Sequence, residues 1–142
     1  MAEYSHRVRM AELACASQAG FEVSRIEEGF DRSYSILTIE KVLQQEKGPL
    51  GFLIGADAFA EIRTWHRWVD VIRLVDFIVV TRPGAIYDVP EGARVQELAG
   101  LELPESSSDI RARIARGESN VPVPAAVLAY IREHGLYGSQ KQ

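Results

Sequence analysis

The sequence predicts an α/β protein built on a parallel sheet with helices on both faces. Three observations carry that prediction. Helical and strand patterns alternate along the chain. Phe52-Leu53-Ile54 forms a continuous apolar run closed by Gly55, as in a strand covered on both sides. Phe77-Ile78-Val79-Val80 is a second such run and the most hydrophobic strand in the chain. A β, α, β, α, β order of this kind implies right-handed crossovers between parallel strands.

The elements follow in order. Met10, Leu13, Ala14 and Ser17 share one helical face, and Gly20 breaks that helix. Phe21-Glu22-Val23-Ser24-Arg25-Ile26 alternates like a half-buried strand. Tyr34 to Lys47 reads as a helix with Ile36, Ile39, Val42 and Leu43 on its buried side, ended by Gly48-Pro49. The strand at Phe52 comes next, then a helical connector from Trp68 to Leu74, then the strand at Phe77. A weaker strand spans Arg94 to Leu98. Two helices complete the chain. One opens at Ser106-Ser107-Ser108, the other at Pro122-Val123-Pro124, and the second stops at Gly135. Residues 138–142 read as a flexible tail.

Length and composition bound the function. With 142 residues, 46% hydrophobic and 25% charged, the chain fits one domain over 1–142. A net charge of −4 with scattered basic residues offers no continuous track for a polyanion, so nucleic acid is disfavoured as a partner. Cys15 is the only cysteine, which excludes an intrachain disulfide and a multi-cysteine metal site and points to a packing role. No apolar run is long enough to span a bilayer, and charged residues interrupt the amino terminus. The expectation is a cytoplasmic protein with no membrane partner.

Several positions could bind a ligand, and each also has a plainer reading. Asp57 follows a buried strand, where ligands of open α/β sheets collect; it could equally cap the next helical turn. Trp68 reads as core, whereas Trp65 lies at a polar helix start between Thr64 and His66, where its face could stack on a planar ring. His66 reads as a surface residue. Ser33-Tyr34-Ser35 precedes a helix, where free N–H groups can bind a carboxylate; helix capping would also explain the serines. Arg82 leads into Pro83-Gly84, a turn that could aim it at a phosphate or leave it on the surface. Ser106 and Asp109 form a capping box, a common device. His6 and His134 read as exposed helix residues.

Together these segments resemble the bacterial nicotinate-nucleotide adenylyltransferase family. The resemblance rests on Arg32-Ser33-Tyr34-Ser35, Phe52 to Asp57, Thr64-Trp65-His66-Arg67-Trp68, Phe77 to Gly84, Ser106 to Arg111 and Tyr130 to Tyr137, in the family's order. It implies a Rossmann-like nucleotidyltransferase fold and adenylyl transfer from ATP to nicotinate mononucleotide, with Mg²⁺ on the phosphates, as a step of NAD biosynthesis. It also implies substrate contacts from Ser33, Tyr34, Ser35, Asp57, Trp65 and Arg82, and a grip on ATP phosphates from Ser106, Ser107, Ser108 and Arg111. Ser35 stands where the family commonly has Thr, and Glu105 replaces an apolar residue.

The family also opens with a first strand and a G-G-x-F-D-P-x-H-x-G-H loop, and these 142 residues contain no such segment. No catalytic residue is therefore identified, and the chain alone is expected to be inactive or weakly active. A sheet without that strand would expose apolar edges that invite self-association. Two other readings stand beside this one: a non-catalytic nucleotide-binding or interaction module, and an adenylyltransferase acting on nicotinamide mononucleotide or pantetheine phosphate.

Overall fold

A computed structural model describes residues 2–99 and 106–139. The chain divides into two compact units, one of Met1–Ser24 with Leu103–Gln142, the other of Arg25–Glu102.

The second unit holds the sheet. Strands β1 (Gly51–Gly55), β2 (Asp76–Val80) and β3 (Arg94–Leu98) are parallel and lie in the order β1-β2-β3. Gly51 is opposite Asp76 and Gly55 opposite Val80, while Asp76 faces Arg94 and Val80 faces Leu98. The period of two turns Ile54, Phe77 and Val79 to one side, where they are buried with Ile36, Ile39, Phe59, Ile62, Val71, Ile72 and Val75. Those partners come from helices α2 (Ser35–Gln45), α3 (Ala56–Ala60) and α4 (Trp68–Leu74) and from a 3₁₀ turn over Ile62–Thr64. A short βα connection thus folds α3 directly onto the strands that precede and follow it.

Two joints fix the helices. Arg67, in a left-handed conformation with φ 51°, begins α4 and donates to both carboxylate oxygens of Glu40 on α2, at 3.0 and 3.3 Å. It also donates to Asp70 at 2.9 Å. The bonds to Glu40 and then Asp70 raise its already high pKa, so the guanidinium stays charged. At the β3 edge of the sheet, on the same face as this core, Tyr87 packs edge-on against Phe59 and donates its hydroxyl to Glu97 on β3. Burial first, then that carboxylate, pushes the Tyr87 phenol up to about 12.

The first unit is helical among its described residues. Helix α1 (Tyr4–Cys15) lays Met10, Leu13 and Ala14 against Ile114 of α5 (Ser107–Ala115) and Val127 and Ile131 of α6 (Ala125–Glu133). Gly135, at φ 61°, ends α6 in the left-handed geometry that glycine supplies cheaply. Gly138 then completes a 3₁₀ turn, and Ser139 donates its hydroxyl to Ile131 O and Leu136 O at 3.2 and 2.7 Å. The rest of the expected tail lies outside the described residues.

Three expectations need correction. Phe21 to Ile26 is not a strand; Phe21 is 68% exposed, and no strand among the described residues pairs with this segment. Alternation alone does not make a strand, because the ladder needs a partner for its backbone groups. His6 is half-buried rather than exposed: its Nδ1 lies 2.8 Å from the Tyr130 hydroxyl, and its ring is 5.0 Å from that of His134. Cys15 is half-buried at the end of α1 and is not part of either buried core.

Candidate functional site

The carboxyl ends of β1 and β2 set the first part of the site. Asp57 lies two residues past β1 and Arg82 two residues past β2, and Gly55 and Val80 are register partners. The two side chains are therefore carried to the same end of the sheet on neighbouring strands. They meet there, with Arg82 Nη2 donating to Asp57 Oδ2 at 2.7 Å, and each side chain is 70% exposed. Asp57 does not cap α3, whose start follows Gly55 with no side-chain cap; it sits inside the first turn, where a carboxylate is favoured by the helix dipole. The pair presents one acceptor-rich and one donor-rich group to solvent, beyond strands that bury Ile54, Phe77 and Val79 but leave Leu53 66% exposed, so β1 is not covered on both sides as its apolar run suggests.

The second part is built at the start of α2. Tyr34 precedes the helix, and no side chain caps it, so the serines do not play the capping role that their types allow. The Leu37 N–H bonds Tyr34 O at 3.0 Å, and among the described residues the Ser35 and Ile36 N–H groups at the helix start are taken by no hydroxyl. Ser33 is exposed, Tyr34 and Ser35 half-buried. Arg32 donates to the Tyr34 hydroxyl at 3.1 Å. A groove of about 390 Å³ lies beside this start, lined by Gly29, Phe30, Asp31, Arg32, Tyr34 and Leu37.

The aromatic residues join this helix start to the segment that follows the 3₁₀ turn. Tyr34 stacks on His66, with ring centroids 4.4 Å apart and planes 26° apart. His66 is exposed, as its surface reading expects, but it holds a defined place against Tyr34. That contact ties the α2 start to the segment in which Trp65 immediately precedes His66. Trp65 is half-buried and leans on Phe52 of β1 at 5.7 Å, so the core fixes one side of the indole while part of it stays accessible. Trp68 packs against the core as expected, with the Arg63 guanidinium 6.0 Å from its ring.

Ser106, Ser107, Ser108 and Arg111 belong to the other compact unit. Ser106 Oγ accepts from the Asp109 N–H at 3.2 Å, and Asp109 Oδ2 accepts from the Ser106 N–H at 3.5 Å, completing the capping box. Arg111 donates to Ser108 Oγ at 3.3 Å, and Ser107 and Arg111 are exposed. Glu105, the departure noted in front of these serines, lies outside the described residues.

Sequence reasoning missed two contacts. The Tyr34–His66 stack joins residues 32 positions apart, and the Asp57–Arg82 pair joins residues 25 apart. Each residue could be singled out from its neighbours; only the strand register and the packing of α2 on α4 make them partners.

Comparison with known proteins bears on the family and the fold. The cytidylyltransferase-like family profile matches residues 1–113. A protein of Solibacter usitatus named as a nicotinate-nucleotide adenylyltransferase is 58% identical over 138 residues, spanning 96% of this chain and 73% of its own length. The chain belongs to the nicotinate-nucleotide adenylyltransferase family. A Roseiflexus relative of the same name is 40% identical over 96% of this chain and 74% of its own. The nicotinate-nucleotide adenylyltransferase fold is also that of the Plasmodium falciparum nicotinic acid mononucleotide adenylyltransferase. Its structure complexed with APC has a TM-score of 0.74 at 15% identity, covering 96% of this chain and 77% of that one. The same enzyme complexed with NaAD matches with a TM-score of 0.73. The parallel sheet flanked by helices is thus the nucleotidyltransferase arrangement expected from the sequence.

Among the described residues no three His, Cys, Asp or Glu side chains cluster to hold a metal ion, and no helix is long and apolar enough to cross a membrane.

Proposed function

We propose that this chain carries the nicotinate side of an adenylyltransferase that joins nicotinate mononucleotide to the adenylyl group of ATP in NAD biosynthesis. One observation carries the reading: an uncapped helix start lies beside a half-exposed indole, held there by the Tyr34–His66 stack. Free N–H groups at the α2 start would take the nicotinate carboxylate, and Trp65 would cover the pyridine ring. An amide in place of the carboxylate would lose the charge that the helix end favours. Asp57 would accept ribose hydroxyls, and Arg82 would turn to the phosphate. Ser106, Ser107, Ser108 and Arg111 would hold ATP phosphates at the start of α5.

In the reaction, a phosphate oxygen of the mononucleotide attacks the α-phosphorus of ATP. The new P–O bond forms as the α–β bridge breaks, and pyrophosphate leaves with the electron pair. No protein nucleophile is required, so alignment and charge neutralisation carry the rate. The described residues provide no ready-made metal cage, and a magnesium ion would arrive on the ATP phosphates, as that ion commonly does.

Because these 142 residues contain no His-x-Gly-His, the chain by itself is expected to turn over slowly. Pyrophosphate release with ATP, Mg²⁺ and nicotinate mononucleotide tests the reading. The expected result is turnover that is at least about a hundredfold below ordinary enzyme rates. It should rise when a polypeptide bearing the G-G-x-F-D-P-x-H-x-G-H loop is supplied. Full turnover without it would remove that loop from the account, and no turnover with it would remove the adenylyl-transfer reading.

A further inference from the structure

In the helical unit, away from the α5 start, a cavity of about 300 Å³ is lined by Ile114, Ala115, Arg116, Gly117, Ser119, Arg132 and Ser139. Among the described residues no carboxylate lines it, in a chain whose net charge is −4. The neighbouring carboxylate, Glu118, is already engaged. It accepts from Arg113 Nε at 3.3 Å and from Arg116 Nε at 3.0 Å. The bond from Arg116 leads, burial opposes it and Arg113 adds to it, and together they hold the Glu118 carboxyl below its ordinary value.

Arg132 is left over. Half-buried on α6, it donates to Glu118 O at 3.1 Å and Ser119 Oγ at 2.9 Å, and it makes no ion pair among the described residues. Two guanidinium groups thus share the Glu118 carboxylate, and a third bonds only the backbone carbonyl of that residue and a hydroxyl. Both bonds leave from Nη2, so the partly desolvated guanidinium keeps its charge and the donors of Nη1 and Nε for an anion. The Ser119 hydroxyl, which accepts from Arg132, retains its own proton to donate to the same anion. The cavity is at the small end of ligand-binding sizes, about 300–1,000 Å³.

We propose that the Arg132–Ser119–Arg116 cavity is a binding site for a small phosphate anion, separate from the phosphate grip assigned to Ser106–Arg111. It does not depend on the adenylyl-transfer reading. The test is an amide NMR titration of the full 142-residue chain with inorganic phosphate and then pyrophosphate, at constant ionic strength. Saturable shifts are expected at Gly117, Ser119 and Ser139. Arg132→Gln should weaken them at least tenfold, and Arg111→Gln should leave them unchanged. Absent shifts at these amides, shifts confined to residues 106–111, or an unchanged titration in Arg132→Gln would overturn the proposal. Should Arg132→Gln fail to fold, Ser119→Ala takes its place: a several-fold weaker titration supports the site, and an unchanged one overturns it.

Discussion

Asp57 and Arg82 show how little of a residue's role lies in its contribution to stability. Their bond is short, but both side chains are 70% exposed, and exposed pairs are worth about 0–1 kcal/mol after solvent screening. Asp57→Asn and Arg82→Gln should therefore leave the urea midpoint nearly unchanged. If the pair binds ligand, each loses a charged hydrogen bond worth about 1.5–3 kcal/mol, which is a roughly ten- to hundredfold loss of affinity for nicotinate mononucleotide. Equilibrium unfolding and a binding titration on the same two variants separate these outcomes. A large fall in stability with unchanged affinity would make the pair structural. Tyr34 and His66 illustrate a different limit: nothing in either segment points to the other, and only the packing of α2 beside the 3₁₀ turn makes them a stack.

At the scale of elements, capping decides what a helix start can do. Helix α2 begins without a side-chain cap, and α5 begins with a closed capping box. Ser106→Ala should cost about 0.5–2 kcal/mol of stability, measured by chemical denaturation, whereas Ser33→Ala, which removes no cap, should cost less than about 0.5 kcal/mol. The strands at Phe52 and Phe77 and the helix from Trp68 were legible because apolar runs, Gly-Pro breaks and helical spacing all agreed, whereas Arg94–Leu98, largely exposed, carries the weaker signal. The segment from Phe21 to Ile26 was misread because alternation records which faces could be buried and says nothing about whether a neighbouring strand exists. The capping box was legible in the same local way, since its two members are three residues apart. The Asp57–Arg82 partnership was not, because it depends on strand register.

For the molecule as a whole, two separate buried cores carry the stability. One is built on Phe59, Phe77 and Val79, the other on Ile114, Val127 and Ile131. The nicotinate contacts proposed above fall in the sheet unit and the proposed phosphate grip in the helical unit. Family membership was legible from short segments spread over the chain, while the contacts between those segments were not. The central claim is that the sheet unit recognises the nicotinate carboxylate and ring. Calorimetric titration of the 142-residue chain with nicotinate mononucleotide, and with nicotinamide mononucleotide alongside, tests it most directly. Saturable binding of the acid is expected, with at least tenfold weaker binding of the amide and a loss of roughly five- to hundredfold for the acid in Trp65→Ala, the range expected for one stacked ring. Equal binding of acid and amide, or an unchanged affinity in Trp65→Ala, would contradict it.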